Sequence, residues 1–188
     1  MGIVITVIVV VVVIALIAFV IAGYNKLKRA DIRAQEGLGG IDVQLTRRAD
    51  LIPNLVNTVS GYATHERAVF DEVTAARANA AHAAQSGTID QKAQADQRLN
   101  RAVANVLAVA ENYPDLKASA NFAALQNELS DTENKLSFAR QYYNDTVARL
   151  NQLVQTIPWM FFAGMAGVRT REFYRAQEGQ QQPPQVRF

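Results

Sequence analysis

Cysteine is absent from the 188 residues, which removes disulfides, thiolate metal ligands, cysteine nucleophiles and lipidated cysteine anchors together. That absence leaves the compartment open. Charge is missing from one stretch: no Asp, Glu, Lys or Arg lies between Met1 and Asn25, and Ile3 to Val13 is almost unbroken isoleucine and valine. Strand-like alternation of useful length is missing throughout, so the fold class is all-α. A glycine-rich phosphate loop needs a strand before it and is excluded on the same ground.

What is present begins with a span. About 22 helical residues from Gly2 to Gly23, at about 1.5 Å each, reach about 33 Å and cross a hydrocarbon core near 30 Å. A secretory signal would carry a basic start, a shorter apolar centre and a better cleavage site than Ala22-Gly23, so a retained single-pass anchor over residues 1–25 is the reading. Thr6 is its one polar side chain before Tyr24, and it can bond its own helix backbone. Tyr24 suits the headgroup level, and Lys26, Lys28, Arg29 and Arg33 form a basic flank, which places the N-terminus outside and the body in the cytoplasm.

Net charge is +2 overall, distributed unevenly. Residues 24–48 hold six basic and three acidic side chains, residues 158–188 hold four and two, and the stretch between holds nine and twelve. The basic excess next to the membrane fits anionic lipid headgroups. Nucleic acid is not an expected partner, because no basic stripe with interleaved aromatics runs through the body.

The register predicts helices near 24–84, 89–111 and 116–157. From Leu27 through Ala34, Ile41, Leu45, Ile52, Leu55 and Val59 to Val73, Ala76 and Ala80, apolar residues recur at heptad spacing. Asp31, Arg48 and Glu66 are polar members of that seam, too far apart to pair with one another on one helix face, so they require partners elsewhere. Gly37, Gly39, Gly40 and Pro53 predict a kink even if the helical path continues. Gln85 to Thr88 reads as a turn, with Thr88 or Asp90 capping a second helix whose polar early half is expected to project beyond the core. The third stripe, Phe122 to Ile157, is widened by Val147 and Val154 and calls for a bundle rather than a two-stranded seam.

After Pro158 the run Trp159, Met160, Phe161 and Phe162 is apolar but too short to span. It is expected to cover the bundle end, to lie among headgroups or to contact a neighbouring subunit. Residues 158–175 thus form an apolar then basic segment, and residues 176–188, rich in Gln, Pro and Gly, are expected to be disordered.

Chemistry finds little support. His65-Glu66 lacks the second histidine of a zinc peptidase helix, since Val69 occupies that position. No catalytic residue, metal or cofactor is assigned. Arg77, Glu133 and Arg140 are read as solvated surface charge in preference to an interhelical ion-pair network, and Tyr143 as a core knob whose hydroxyl reaches the edge.

Several motifs carry a resemblance: Ile41-Asp42-Val43-Gln44-Leu45 with Arg47-Arg48, Asp50-Leu51-Ile52-Pro53-Asn54-Leu55-Val56, Gly61-Tyr62-Ala63, Tyr113-Pro114, Glu128-Leu129 and Tyr143-Asn144. In this order and spacing the chain resembles the LemA family of bacterial membrane proteins. The resemblance implies a single N-terminal span, here in the bacterial inner membrane, followed by a long antiparallel helical bundle over 26–157, with no established catalytic activity or ligand. Family members include a protein needed to form magnetosome membranes, and others occur beside membrane peptidases. Gly37 to Gly40 departs from the family pattern, which places a bulkier, Trp-containing segment there.

The expected function is a membrane-anchored scaffold that self-associates at the cytoplasmic face, as a homo-oligomer, and organises or remodels membrane. The alternative is a tethered adaptor recruiting another protein such as a membrane peptidase. An enzyme is not expected.

Overall fold

A computed structural model describes residues 1–175, so the expected disorder of 176–188 lies outside the described residues. The described chain is helical, in the order α1 (Gly2–Ser60), α2 (Arg67–Ser86), α3 (Ile89–Ala110), α4 (Pro114–Lys117), α5 (Ala120–Gln155) and α6 (Met160–Ala166). No strand occurs among the described residues. Two compact units divide it: Met1–Gly37 with Tyr142–Glu172, and Leu38–Gln141 with the chain from Phe173. α1 and α5 each contribute residues to both.

In the first unit the N-terminal part of α1 is apolar on all sides. An 18-residue window there has mean hydropathy 3.6 and is 0% buried inside the protein, which makes it long and apolar enough to cross a membrane. Beyond it, Leu27 and Ala34 of α1 are fully buried, as are Tyr143, Val147 and Leu150 of α5. α1 and α5 run antiparallel: Gly37 lies against Tyr143, whereas Asp31, a turn and a half earlier, pairs with Arg171, which Asn151 holds. α6 ends on Gly167 in the left-handed region at φ 62, a conformation open to glycine without a Cβ penalty. The amides of Gly167 and Val168 then return to the carbonyls of Gly164 and Ala163, closing the helix end.

The second unit is an up-down-up-down bundle. Leu51, Ile52, Leu55 and Val59 of α1 meet Phe70 and Val73 of α2, Leu99 and Val106 of α3, Leu116 of α4, and Phe122 and Leu129 of α5 in one core. α2 and α3 form a hairpin whose turn is set by Thr88: its hydroxyl accepts from the Gln91 amide while the Gln91 side chain accepts from the Thr88 amide. That reciprocal cap satisfies two of the orphan donors at the start of α3.

Two details differ from the sequence-based expectation. The first helix, expected over 24–84, is divided at Gly61–Glu66, where bent backbone held by the Val59 and Ala63 carbonyls lets α2 turn back on α1. Both halves of the stripe keep the same phase across this break, so periodicity alone carries no trace of it. The helical path of α1 does continue through Gly39, Gly40 and Pro53. The early half of α3 does not project from the core: Lys92, Ala93 and Asp96 are buried. Its polar residues face inward because they have ionic partners there.

Candidate functional site

Two constellations stand out, one in each unit. In the bundle, Asp96 is buried at the centre of an ionic cluster contributed by three helices and the returning chain. Arg48 of α1, 4% exposed, donates to Asp96 at 3.3 Å, to Glu133 of α5 and to Asn100 of α3. Arg140 donates to the other Asp96 oxygen and, at 3.5 Å, to Glu133. The Tyr174 hydroxyl donates to Asp96 at 3.3 Å, and its ring lies beneath the Arg140 guanidinium, 5.7 Å away. Close by in α3, Lys92 donates to Asp42 of α1 and to the Ala84 carbonyl at the end of α2, where a cation complements the helix dipole.

The electrostatics follow from burial. Desolvation raises the Asp96 carboxyl above its ordinary value, outweighing Arg140 and Arg48, with Glu133 adding to the rise and the Tyr174 bond opposing it. Burial and the neighbouring Asp96 also raise the Tyr174 hydroxyl, which keeps it a donor. Both oxygens of Asp96 and of Glu133 face a guanidinium, and the Tyr174 hydroxyl adds to Asp96, so the cluster joins α1, α3, α5 and the returning chain. Ions paired in this way cost desolvation, and removing one partner costs more.

In the first unit the constellation is at the end of the apolar stretch. Phe162 of α6 sits over Gly23, where a Cβ would come within 2.6 Å of the ring, and it meets Phe19 edge-on at 5.5 Å. Trp159 stacks at a tilt against Phe19 at 6.0 Å, and Lys26 Nζ lies 3.9 Å above the indole. The other face of α6 is bare: Phe161 is 70% exposed, and Met160 and Met165 are exposed with it. Farther along, Tyr143 donates to the Glu172 carbonyl at 2.8 Å, its hydroxyl raised first by burial and also by Glu172, against Arg171.

The expected seam residues take different positions. Arg48 is the hub of the buried cluster, and Asp31 pairs at 2.9 Å with Arg171. Glu66 lies in the α1–α2 turn just before α2, half-buried, with no side-chain bond capping that helix. Of the basic flank, Lys26 contacts Trp159, while Lys28, Arg29 and Arg33 follow on α1 with Tyr24 exposed before them. Glu133 and Arg140, read as solvated, join the cluster, whereas Arg77 instead donates to the Ala49 carbonyl at 3.2 Å. Asp96, Lys92, Asn100 and Tyr174 escaped the sequence reading. Counting back from Leu99 at heptad spacing reaches Asp96 and Lys92, so a signal for two of them was present. Among the described residues, no group of three His, Asp or Glu side chains could hold a metal ion.

The sequence model of the LemA family matches residues 37–188, most of the chain. The chain belongs to the LemA family. Among the relatives of this LemA-family chain, the magnetosome protein MamQ of Magnetospirillum gryphiswaldense is 22% identical over 185 residues, covering 85% of this chain and 68% of its own length. The magnetosome protein MamQ 2 of Paramagnetospirillum magneticum is 22% identical over 182 residues, covering 85% and 67%. The match spans the bundle and its ionic cluster, and the family together with the apolar N-terminal helix points to a membrane-associated helical protein.

Proposed function

We propose that this chain is a membrane-anchored helical scaffold that self-associates at the cytoplasmic face and organises or remodels the bilayer, without bond-breaking chemistry. The observation that carries the reading is α6: Phe162 fastens it to Phe19 and Gly23 on the anchor helix while Phe161, Met160 and Met165 remain bare. An apolar face held at the end of a span enters the headgroup zone of one leaflet, and area added to one leaflet favours curvature. Anchoring also aligns copies and raises their local concentration, which promotes side-by-side assembly. Kinship with proteins named for the magnetosome supports a role at a membrane. The ionic seam does not add to self-association, since Arg48 and Asp31 find partners within their own chain.

The test is reconstitution of the full chain into lipid vesicles, read by electron microscopy and by chemical cross-linking. Vesicle deformation and self cross-links are expected, both reduced by Phe161→Gln combined with Met165→Gln. Monomers on unaltered vesicles would sink the scaffold. Cross-links in cells to a different protein, without self cross-links, would favour an adaptor for a partner such as a membrane peptidase.

A further inference from the structure

A groove of about 760 Å³ opens between α1 and α5 in the first unit, starting at Ala22 on the apolar stretch. Lys26, Arg29 and Arg33 line it from α1, and Arg149 lines it from α5, with Tyr142 and Leu153 completing the walls. These cations follow one another at three- and four-residue steps on one face of α1 and are met by the arginine opposite. Among the described residues no carboxylate pairs with Arg29, Arg33 or Arg149. Elsewhere Arg48, Arg140 and Arg171 have carboxylate partners while Arg67, Arg98 and Arg101 have none among the described residues, so what sets Arg29, Arg33 and Arg149 apart is their convergence with Lys26 on one groove. A groove that gathers like charges, with no carboxylate paired to its arginines among the described residues, suits an anion from outside the chain.

We propose that this groove binds the phosphate headgroup of an anionic phospholipid from the leaflet in which α1 ends. The inference rests on the membrane-anchored reading above and deepens it by naming a ligand class. Phosphate could also arrive on a soluble molecule, but the walls favour a lipid. Ala22 and Leu153 give the groove an apolar side next to the span, as an acyl chain requires, and the cations lie beyond it. Lys26 to Arg33 rise about 10 Å along α1, and the headgroup zone is about 5 to 7 Å deep on each side. Side chains of a helix lean toward its N-terminus, so the α1 arginines reach back toward the bilayer. Arg forks match phosphate oxygens, and an anionic leaflet attracts each basic group near its surface.

The experiment is native mass spectrometry of the full chain in detergent, titrated with phosphatidylglycerol, phosphatidylcholine or inorganic phosphate. Bound phosphatidylglycerol should exceed phosphatidylcholine by about tenfold, and the combined variant Arg29→Gln, Arg33→Gln, Arg149→Gln should abolish that preference. A control of equal charge change on the other unit, Arg98→Gln, Arg101→Gln, Lys135→Gln, should retain it. Unchanged helicity by circular dichroism shows that each variant folds. Equal binding of the two lipids, or displacement of the lipid by inorganic phosphate, overturns the proposal. Membrane fractionation of the same proteins separates the two readings: a chain that sediments with membranes but shows no preference loses the groove and keeps the anchor, whereas one that leaves the membrane loses both.

Discussion

Arg48 ties three helices of the bundle together, because its guanidinium reaches α3 and α5 from α1 at once. Replacing it with Ala leaves Arg140 to serve both buried Asp96 and Glu133, strips one Asp96 oxygen of its guanidinium, and should cost about 3 to 5 kcal/mol, measured by denaturant unfolding of the second unit's signal in the full chain. Asp96 gives a pH test. Its folded-state pKa is raised above the ordinary 3.8, so its contribution to stability is fully present below 3.8 and is lost as pH rises through the folded value. Wild type relative to Asp96→Asn should therefore lose stability as pH climbs from 3.8, then level off; a difference constant with pH would contradict the shift. At this scale the sequence was legible where spacing speaks. Asp96 and Lys92 continue the Leu99, Val103, Val106 register, but polarity on a stripe reads as exposure until its partners are known. Tyr174 follows no helical register, and its place depends on where the chain returns after α6.

Among elements, α1 separates glycines by what faces them. Gly37 is pressed against the Tyr143 backbone at 3.1 Å from an added Cβ and Gly23 against Phe162, whereas nothing approaches Gly39 or Gly40. Gly39→Ala and Gly40→Ala should each stabilise by about 0.5 to 1 kcal/mol, seen as a raised unfolding midpoint. Gly23→Leu should instead dislodge α6 and expose its amides to hydrogen exchange, with α3 unaffected. Leu136→Ala, at a fully buried position, should cost about 2 to 5 kcal/mol; a loss below about 1 would mean that the stripe is misassigned. The stripes themselves were plain in the sequence, since Leu136, Tyr143 and Leu150 are all buried as their spacing demands. The α1–α2 turn was not, because Gly61 to Glu66 shifts the chain's direction without shifting its apolar phase.

For the whole molecule, an uncharged run ahead of Asn25 is the most legible feature, since few other environments accept one. Alkaline carbonate should fail to release the full chain from membranes, and protease added outside intact spheroplasts should leave the bundle uncut; cleavage would reverse the orientation. The surfaces on which the proposed task rests, the bare face of α6 and the basic groove, were less legible because only tertiary structure assembles them. The one tryptophan of the chain, Trp159, lies just before α6 with the Phe19 ring and the Lys26 ammonium both against its indole. It is thereby a built-in fluorophore stationed where α6 meets α1, and its emission colour and quenching by brominated lipid report, without any label, how deeply that corner of the protein is immersed.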